Sequence, residues 1–215
     1  MLRILLADDH AIVRRGLKEL MEEHIGWSVC AEAATGRQAV ELAVEHRPHV
    51  AVLDLSMPEL NGLEATRRIR QALPETEVLV FTMHESDELV RQVLAAGARG
   101  YLLKSDAADQ LIPAVESLAR HKPFFSGRIS EVVLDGFLKA GGAEAAPPAI
   151  QRLTTREREI IQLLAEGHSN KRIAKLLDLS VKTVETHRAA VMRKLELSSL
   201  PDLVRFAIRN QIIHP

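Results

Sequence analysis

The sequence predicts a doubly wound α/β domain with a five-stranded parallel sheet, followed by a small all-α domain. Short aliphatic runs alternate with longer amphipathic stretches over the first half of the chain. A segment without large apolar side chains interrupts the chain at residues 140–149, and only helical patterns follow it. Alternating strands and helices imply a parallel sheet covered on both faces, whose functional groups collect at the carboxyl ends of the strands.

Five aliphatic runs are predicted to form the sheet, and the middle ones are almost continuously apolar, as strands buried on both faces must be. The predicted strands are Arg3–Ala7, Ser28–Ala33, Val50–Leu53, Glu77–Thr82 and Arg99–Leu103. Amphipathic patterns predict helices near 11–24, 36–46, 61–73, 86–97 and 106–121. Residues 128–139 predict one more helix before the interruption.

Capping residues and apolar spacing predict four helices after residue 150. The first runs from a cap at Thr154 or Thr155 to about Ala165, the second from Ser169 or Asn170 through KRIAKLL, the third from Ser180 to about Leu195, and the fourth from Leu200 to Ile212. The second and third helices are joined by a turn of only a few residues, which predicts a helix-turn-helix. Val184, Val191 and Leu195 share one direction on the third helix and are predicted to be its buried stripe.

The chain divides by charge at the interruption, whose Ala, Gly and Pro content is typical of a linker. Residues 1–130 carry 15 basic and 19 acidic side chains, whereas 150–215 carry 12 basic and 7 acidic. We therefore predict an N-terminal domain at 1–122, a helical extension with a flexible linker at 123–149, and a C-terminal domain at 150–215. The charge difference indicates a control module joined to a module that binds a polyanion.

Composition excludes several classes of protein. The only cysteine, Cys30, allows neither an intrachain disulfide nor a zinc-finger ligand set. The apolar run in the opening MLRILLADDH is too short for a signal peptide, because two acidic residues follow it after a few positions. No apolar run reaches the roughly 18 residues that are needed to span a bilayer. We therefore expect a cytoplasmic protein with no membrane partner. Seven aromatic residues of Trp, Tyr and Phe type argue against stacking platforms for single-stranded nucleic acid.

Chemically active side chains follow four of the predicted strands. Asp8 and Asp9 follow the first strand and Asp54 follows the third. Thr82 ends the fourth strand and Lys104 follows the fifth. Because these strand ends share one edge of the sheet, we expect three carboxylates around one pocket, where they repel one another unless a cation lies among them. Oxygen ligands suit Mg²⁺, and Mg²⁺ beside a lysine suits phosphoryl transfer with Asp54 as the nucleophile.

Two other functions use the same residues. A Mg²⁺-dependent phosphohydrolase with an aspartyl-phosphate needs a second acid two residues after the nucleophile, and Ser56 at that position cannot serve as an acid. A docking scaffold that is never phosphorylated would also preserve the pocket. Rapid turnover of small phosphate esters would support the first alternative, and failure to trap beryllium fluoride would support the second.

The first 120 residues resemble the receiver domain of two-component response regulators, a flavodoxin-like fold, through LLADDH (5–10), LDLSMPELNG (53–62), VFTMHE (80–85) and ARGYLLK (98–104). The resemblance implies that a sensor histidine kinase phosphorylates Asp54. It implies that Asp8, Asp9, Asp54 and the Ser56 backbone carbonyl hold Mg²⁺, that Lys104 and Thr82 contact the phosphoryl oxygens, and that Tyr101 turns inward as a switch when Thr82 moves. Pro58 and Gly62 would shape the loop after Asp54.

This sequence departs from many receivers near the pocket. Met83 replaces the small residue that often follows the switch threonine, and Ser105 replaces the proline that often follows the lysine. These changes indicate a more hindered pocket. Ser56 and His84 lie where receivers tune the lifetime of the phosphoryl group.

The C-terminal segment from Leu153 to Ser199 resembles the LuxR-type helix-turn-helix, so the whole chain resembles the NarL/FixJ-type response regulators. That resemblance implies a transcription factor that binds double-stranded promoter DNA as a homodimer on activation, with Ser199–Ile212 supplying contacts between DNA-binding domains. The residues predicted to contact DNA are Asn170, Lys171, Lys182, Thr183, Glu185, Thr186, Arg188, Ala189 and Arg193. Some family members carry lysines where this chain has Glu185 and Ala189. Glu185 is therefore expected to read a cytosine amine, and Ala189 a thymine methyl.

Overall fold

Six parallel strands form the sheet of the N-terminal unit in the order β2-β1-β3-β4-β5-β6. The strands are β1 Leu2–Ala7, β2 Trp27–Ala33, β3 Val50–Leu53, β4 Glu77–Thr82, β5 Gly100–Leu103 and β6 Phe124–Phe125. The chain is described by a computed structural model that covers residues 1–127, 129–130 and 153–213. It divides into two compact units, Met1–Gly142 and Ala143–Pro215.

The sheet contains a sixth strand that was not predicted, and three of the predicted strands start one residue from their predicted start. β6 pairs in parallel with β5, so that Gly100 lies beside Phe124 and Tyr101 beside Phe125. A strand of two residues contains no alternation or apolar run from which it can be recognised, and it forms because the chain leaving the last helix returns along an open sheet edge. The prediction of five strands is therefore wrong by one short edge strand.

Five helices cover the two faces of the sheet, and they are α1 Ala11–Glu22, α2 Gly36–His46, α3 Gly62–Ala72, α4 Asp87–Ala95 and α5 Ala107–Ala119. Alternate residues of β1 enter different cores: Leu5 packs in the cluster that includes residues of α2, α3 and α4, whereas Ile4 packs in the cluster that includes residues of α1 and α5. Burial on both faces explains why the middle strands are continuously apolar. No helix among the described residues is both long and apolar enough to cross a bilayer.

Side-chain caps set the starts of three of these helices. Thr35, Asn61 and Ser86 each accept a hydrogen bond from the backbone N–H three residues later, at the starts of α2, α3 and α4. A single 3₁₀ turn, Lys104–Asp106, precedes α5. These caps satisfy backbone donors that a helix leaves without partners in its first turn.

The C-terminal unit consists, in its described part, of four helices, α6 Thr155–Ala165, α7 Asn170–Leu177, α8 Val181–Lys194 and α9 Leu200–Arg209. Thr154, Ser169 and Ser180 cap the first three, as the sequence predicts. α9 ends at Arg209 rather than at Ile212 because Gln211 has φ of 56° and Ile212 turns back to donate to the Ala207 carbonyl. Ile212 is still buried in the same core.

The predicted helix at 128–139 lies outside the described residues except for Ile129 and Ser130, which have helical backbone. The predicted linker at 140–149 lies outside them entirely. The domain boundaries at 122 and 149 therefore remain predictions.

Glu157 joins two helices of the C-terminal unit. Its side chain completes a capping box with Thr154, and it accepts hydrogen bonds at 2.7 Å and 2.9 Å from the Lys194 ammonium on α8. Burial alone raises the pKa of Glu157, but the hydrogen bonds from Lys194 and Thr154 outweigh burial and hold its pKa below the ordinary value. The ionised carboxylate therefore stabilises this unit.

We expect Glu157→Gln to destabilise the C-terminal unit by about 1–2 kcal/mol at pH 7. Because the folded pKa is depressed, the stabilisation is present above the ordinary glutamate pKa of about 4.3 and is lost as pH falls through the folded value. Hydrogen exchange of the α6 amides should therefore accelerate in the variant at pH 7, and less so in acid. Glu185→Gln, on the exposed face of α8, serves as the control, and equal protection in both variants would contradict the prediction.

Candidate functional site

The carboxyl ends of four neighbouring strands bring the predicted pocket residues together. Asp8 follows β1, Asp54 follows β3, Thr82 ends β4 and Lys104 follows β5. The Lys104 ammonium lies 2.6 Å from Asp8 Oδ2 and 3.0 Å from Asp54 Oδ2. The side chain of Lys104 thus connects two carboxylates from separate strands, as the order of the parallel sheet requires.

Asp54 is almost completely buried, with 3% of its surface exposed. Its Oδ1 accepts a 2.7 Å hydrogen bond from the Leu55 backbone N–H, which leaves Oδ2 directed toward Lys104. Burial raises the pKa of Asp54, and the positive charge of Lys104 partly opposes that rise. Asp54 is therefore a desolvated carboxylate held next to a fixed cation.

Lys104 remains an ammonium in this pocket. Burial lowers the pKa of Lys104, but its hydrogen bonds and ion pairs with Asp8 and Asp54 outweigh burial and raise the pKa overall. The Nζ atom also lies 5.8 Å from the centre of the Phe81 ring, which forms the apolar wall behind it. A lysine held in this way supplies a permanent positive charge, the property that phosphoryl transfer demands.

Asp8, Asp9, His10 and Asp54 each place one possible ligand atom within 4.8 Å of the others. Three of these donors are carboxylates, which fit a hard divalent cation such as Mg²⁺. Receiver domains generally bind Mg²⁺ at an acidic pocket of this kind. The donor set therefore fits the predicted metal, and the part of the Ser56 backbone carbonyl in it remains a prediction.

Thr82, His84 and Tyr101 form a connected set beside the pocket. The His84 backbone N–H donates to Thr82 Oγ1 at 3.3 Å, and the Tyr101 hydroxyl donates to the His84 backbone carbonyl at 2.7 Å. The Tyr101 side chain is fully buried, and burial, with the nearby Glu85, raises its pKa. Tyr101 thus lies in the inward position that the family resemblance assigns to the switched state.

The loop after Asp54 is pinned by hydrogen bonds and by close backbone packing. Ser56 Oγ lies 3.1 Å from His84 Nε2, which connects this loop to the residues after β4. The Gly62 N–H donates to the Leu55 carbonyl at 3.0 Å, and a Cβ on Gly62 would overlap the Asp54 carbonyl. Pro58 is exposed, and its carbonyl accepts from the Leu60 N–H at 2.8 Å.

Two further residues at this site, His10 and Arg14, were not among those predicted from the sequence. His10 lies in the acidic cluster, and Arg14 donates to the Asp8 backbone carbonyl at 2.6 Å. His10 directly follows the two aspartates and Arg14 follows one helical turn later, so the sequence contained the signal. The direction of each side chain depends on how α1 begins, which spacing alone does not specify.

The helix-turn-helix consists of α7, a turn and α8. Asp178 in the turn has φ of 52°, and Ser180 accepts from the Thr183 N–H to start α8. Val184 and Val191 are completely buried, which confirms the predicted stripe of α8, and Leu195 is partly buried against the same core.

The predicted DNA contacts differ in exposure. Exposed to solvent are Lys171, Lys182, Glu185, Thr186, Ala189 and Arg193, whereas Asn170, Thr183 and Arg188 are partly buried. The Thr186 hydroxyl donates to the Lys182 carbonyl within α8, and the Thr183 hydroxyl lies 2.8 Å from the Ser180 hydroxyl. The exposed group thus includes three of the basic residues predicted to contact phosphate.

Comparison with known proteins gives matches to both halves of the chain. Residues 4–116 match the response regulator receiver domain family, and residues 151–207 match the bacterial regulatory proteins of the luxR family. The oxygen regulatory protein NreC of Staphylococcus epidermidis is 37% identical over 216 residues, and the alignment covers 99% of each chain.

Comparison with solved structures also gives response regulators. A two-component response regulator of the LuxR family from Aurantimonas sp. SI85-9A1 is 37% identical with a TM-score of 0.60, and the alignment covers 64% of this chain and 98% of that one. The response regulator RcsB in a complex with DNA is 26% identical with a TM-score of 0.58, over 95% of this chain and 96% of that one.

Proposed function

The chain belongs to the response regulators in which a receiver domain is followed by a luxR-type DNA-binding domain, and on this premise we propose that phosphorylation of Asp54 controls its binding to DNA. It is a transcription factor rather than an enzyme that turns over a separate substrate. The observation that carries this proposal is that the carboxylates of Asp54 and Asp8 lie 3.0 Å and 2.6 Å from a single lysine ammonium.

This geometry supports phosphoryl transfer to Asp54 in the following way. A carboxylate oxygen of Asp54 attacks the phosphorus of a phosphohistidine on a sensor histidine kinase. The new O–P bond forms as the P–N bond breaks, and the histidine nitrogen keeps the electron pair. Lys104 neutralises charge on the phosphoryl oxygens, and the Thr82 hydroxyl donates a hydrogen bond to one of them.

Magnesium belongs to the same proposal. Asp8, Asp9 and Asp54 would hold the ion, together with the Ser56 backbone carbonyl. When bound, Mg²⁺ neutralises negative charge on the transferred group. The protein's own contribution is to fix these oxygens at one edge of a rigid sheet and to exclude water from Asp54, which is buried.

The effect of phosphorylation would be transmitted through Thr82, His84 and Tyr101, the connected set beside the pocket. The phosphoryl group adds about −1.5 to −2 charge at Asp54 and competes for the Thr82 hydroxyl. The His84 N–H then loses its acceptor on Thr82, so the segment around His84 rearranges while Tyr101 keeps its inward position and its bond to the His84 carbonyl. This rearrangement would expose the face through which the chain forms a homodimer on activation.

The test is the affinity of the full-length chain for duplexes selected from a random pool, with and without acetyl phosphate in Mg²⁺. We expect the donor to tighten DNA binding by the parent chain. The same donor should leave binding by Asp54→Ala unchanged. Equal tightening of both proteins would reject Asp54 as the acceptor.

The exposed face of α8 is the proposed reader of the DNA major groove. Lys171, Lys182, Arg188 and Arg193 are proposed to contact phosphates, and Asn170, Thr183, Glu185, Thr186 and Ala189 to lie at or near base edges. Arg188 is partly buried, and it borders the buried stripe of α8, so packing of its stem there is the alternative to phosphate contact. The excess of basic over acidic residues at 150–215 favours a polyanionic partner.

We expect Lys182→Ala and Arg193→Ala to weaken DNA binding and to reduce the slope of log K against log salt by about 0.9 for each phosphate that is no longer neutralised. Binding titrations at several salt concentrations measure that slope. Lys175→Ala is the matched control, because Lys175 is an exposed lysine on α7 outside the proposed DNA-binding residues. A slope in the two variants equal to that of the control would contradict this assignment.

Dimerisation of the DNA-binding unit is proposed to use α9. Leu200 and Ile208 on this helix are 39% and 37% exposed, although both are large apolar side chains. The family resemblance assigns contacts between DNA-binding domains to Ser199–Ile212, and these two side chains are available for such a contact. Two copies held in this way would bind paired half-sites on DNA.

A further inference from the structure

His10 lies in the acidic cluster, and the contacts described for its side chain are with Asp8 and Asp9. It occupies the N-cap position of α1 but makes no side-chain capping hydrogen bond. Its Nδ1 atom lies 2.8 Å from Asp9 Oδ1 and 3.4 Å from Asp8 Oδ1. The side chain is 67% exposed, so that an ion arriving from solvent can reach it.

The acidic cluster has a buried side, which Lys104 contacts, and a side that is exposed to solvent. Lys104 holds the Oδ2 atoms of Asp8 and Asp54 on the inner side, next to the Phe81 ring. Arg14 contacts the Asp8 backbone carbonyl rather than the Asp8 carboxylate. The outer side is formed by Asp9 and His10, both of which are exposed. An ion that binds the carboxylates from solvent therefore meets the imidazole as well.

Imidazole changes the chemistry of an otherwise oxygen-only site. Mg²⁺ prefers oxygen ligands and keeps several waters, whereas first-row transition metals accept imidazole nitrogen as well, Mn²⁺ with the lowest affinity among them. A ring nitrogen of His10 lies within 4.8 Å of one possible ligand atom on each of three carboxylate side chains. That distance allows the four groups to share one ion.

We propose that His10 is a nitrogen ligand of the divalent ion held by Asp8, Asp9 and Asp54, and that it shifts the preference of this site from Mg²⁺ toward transition metals such as Mn²⁺. The inference rests on the proposed function, because it takes the metal site of phosphoryl transfer as its starting point. His10 Nδ1 lies 2.8 Å from Asp9 Oδ1, so the imidazole and this carboxylate already adjoin where they would share an ion.

The experiment measures metal binding to the full-length chain without any phosphodonor. Calorimetry with Mn²⁺ and with Mg²⁺ gives the ratio of the two Kd values. Electron spin-echo envelope modulation of bound Mn²⁺ detects a directly bound ¹⁴N. We expect ¹⁴N coupling in the parent chain, its loss in His10→Asn, and a fall of about tenfold in the preference for Mn²⁺ over Mg²⁺.

His84→Asn is the control, because His84 is the other imidazole near the pocket, in contact with Ser56. The ¹⁴N coupling should persist in this variant. His10→Gln should repeat the result of His10→Asn, and circular dichroism verifies that each variant folds. Coupling that survives in both His10 variants, or an unchanged ratio of Kd values, would overturn the proposal.

Acyl phosphate formation on Asp54 of the parent chain, measured in Mg²⁺ by intact mass, separates this inference from the proposed function. If the parent chain is not phosphorylated, the proposed function fails whatever the metal measurements show. If it is phosphorylated but its Mn²⁺ carries no ¹⁴N coupling, only the role of His10 fails.

Discussion

Replacement of Asp54 by Asn is expected to lower the rate of phosphoryl incorporation from acetyl phosphate in Mg²⁺ by at least about a thousandfold. The amide that replaces the carboxylate cannot form an acyl phosphate, and it also removes the negative charge that Lys104 faces at 3.0 Å. The fold should be retained, because Asn is close in shape to Asp and its side-chain oxygen can still accept from the Leu55 N–H. Intact mass spectrometry after incubation with the donor measures the phosphorylated fraction.

Asp109→Asn provides a matched control for this variant. Asp109 is an exposed carboxylate in the first turn of α5, and none of the described contacts places it in the pocket. We expect it to be phosphorylated at the parent rate. Incorporation into Asp54→Asn at the rate of this control would show that the acceptor is another residue.

The middle strands of the sheet could be predicted because their burial requires continuous apolar sequence, which is visible in the chain. β3 and β4 occupy the predicted residues, Val50–Leu53 and Glu77–Thr82, since both are buried throughout and the polar residues at their ends limit them. Parallel order then places the ends of separate strands at one edge, so the meeting of Asp8, Asp54 and Lys104 followed from topology.

The remaining features depend on the direction of single side chains and on where the chain folds back against the sheet or the helical core. The periodicity of apolar residues gives no information about either. β6 is too short to show a pattern, and α9 ends early because of a single residue with positive φ. His10 and Arg14 join the site through the way α1 starts. The family resemblance implied that Tyr101 turns inward when Thr82 moves, whereas its buried position in this structure and the bond from its hydroxyl to the His84 carbonyl required coordinates.

Gly62 is the second position where a single substitution should have a large effect. It is the first residue of α3, and its N–H closes the loop after Asp54 by donating to the Leu55 carbonyl. That closure brings the loop so near that a Cβ on Gly62 would overlap the Asp54 carbonyl oxygen and lie 2.9 Å from the Leu55 Cα. These neighbours are backbone atoms, which cannot rotate away as a flexible side chain can.

We therefore expect Gly62→Ala to destabilise the N-terminal unit by about 3 kcal/mol or more, at or above the upper end of the usual cost of overpacking. The only tryptophan, Trp27, lies in β2, so its fluorescence during urea unfolding reports this unit. Gly16→Ala is the matched control, since nothing lies within 4 Å of a Cβ there and the residue is in the interior of α1. Alanine should stabilise that position by up to about 1 kcal/mol, because it favours helix more than glycine does. Opposite signs for the same chemical change would show that the close backbone approach in the loop after Asp54, and not glycine content, makes glycine necessary at position 62. A Gly62→Ala chain as stable as the parent would show instead that this loop can shift away from Asp54.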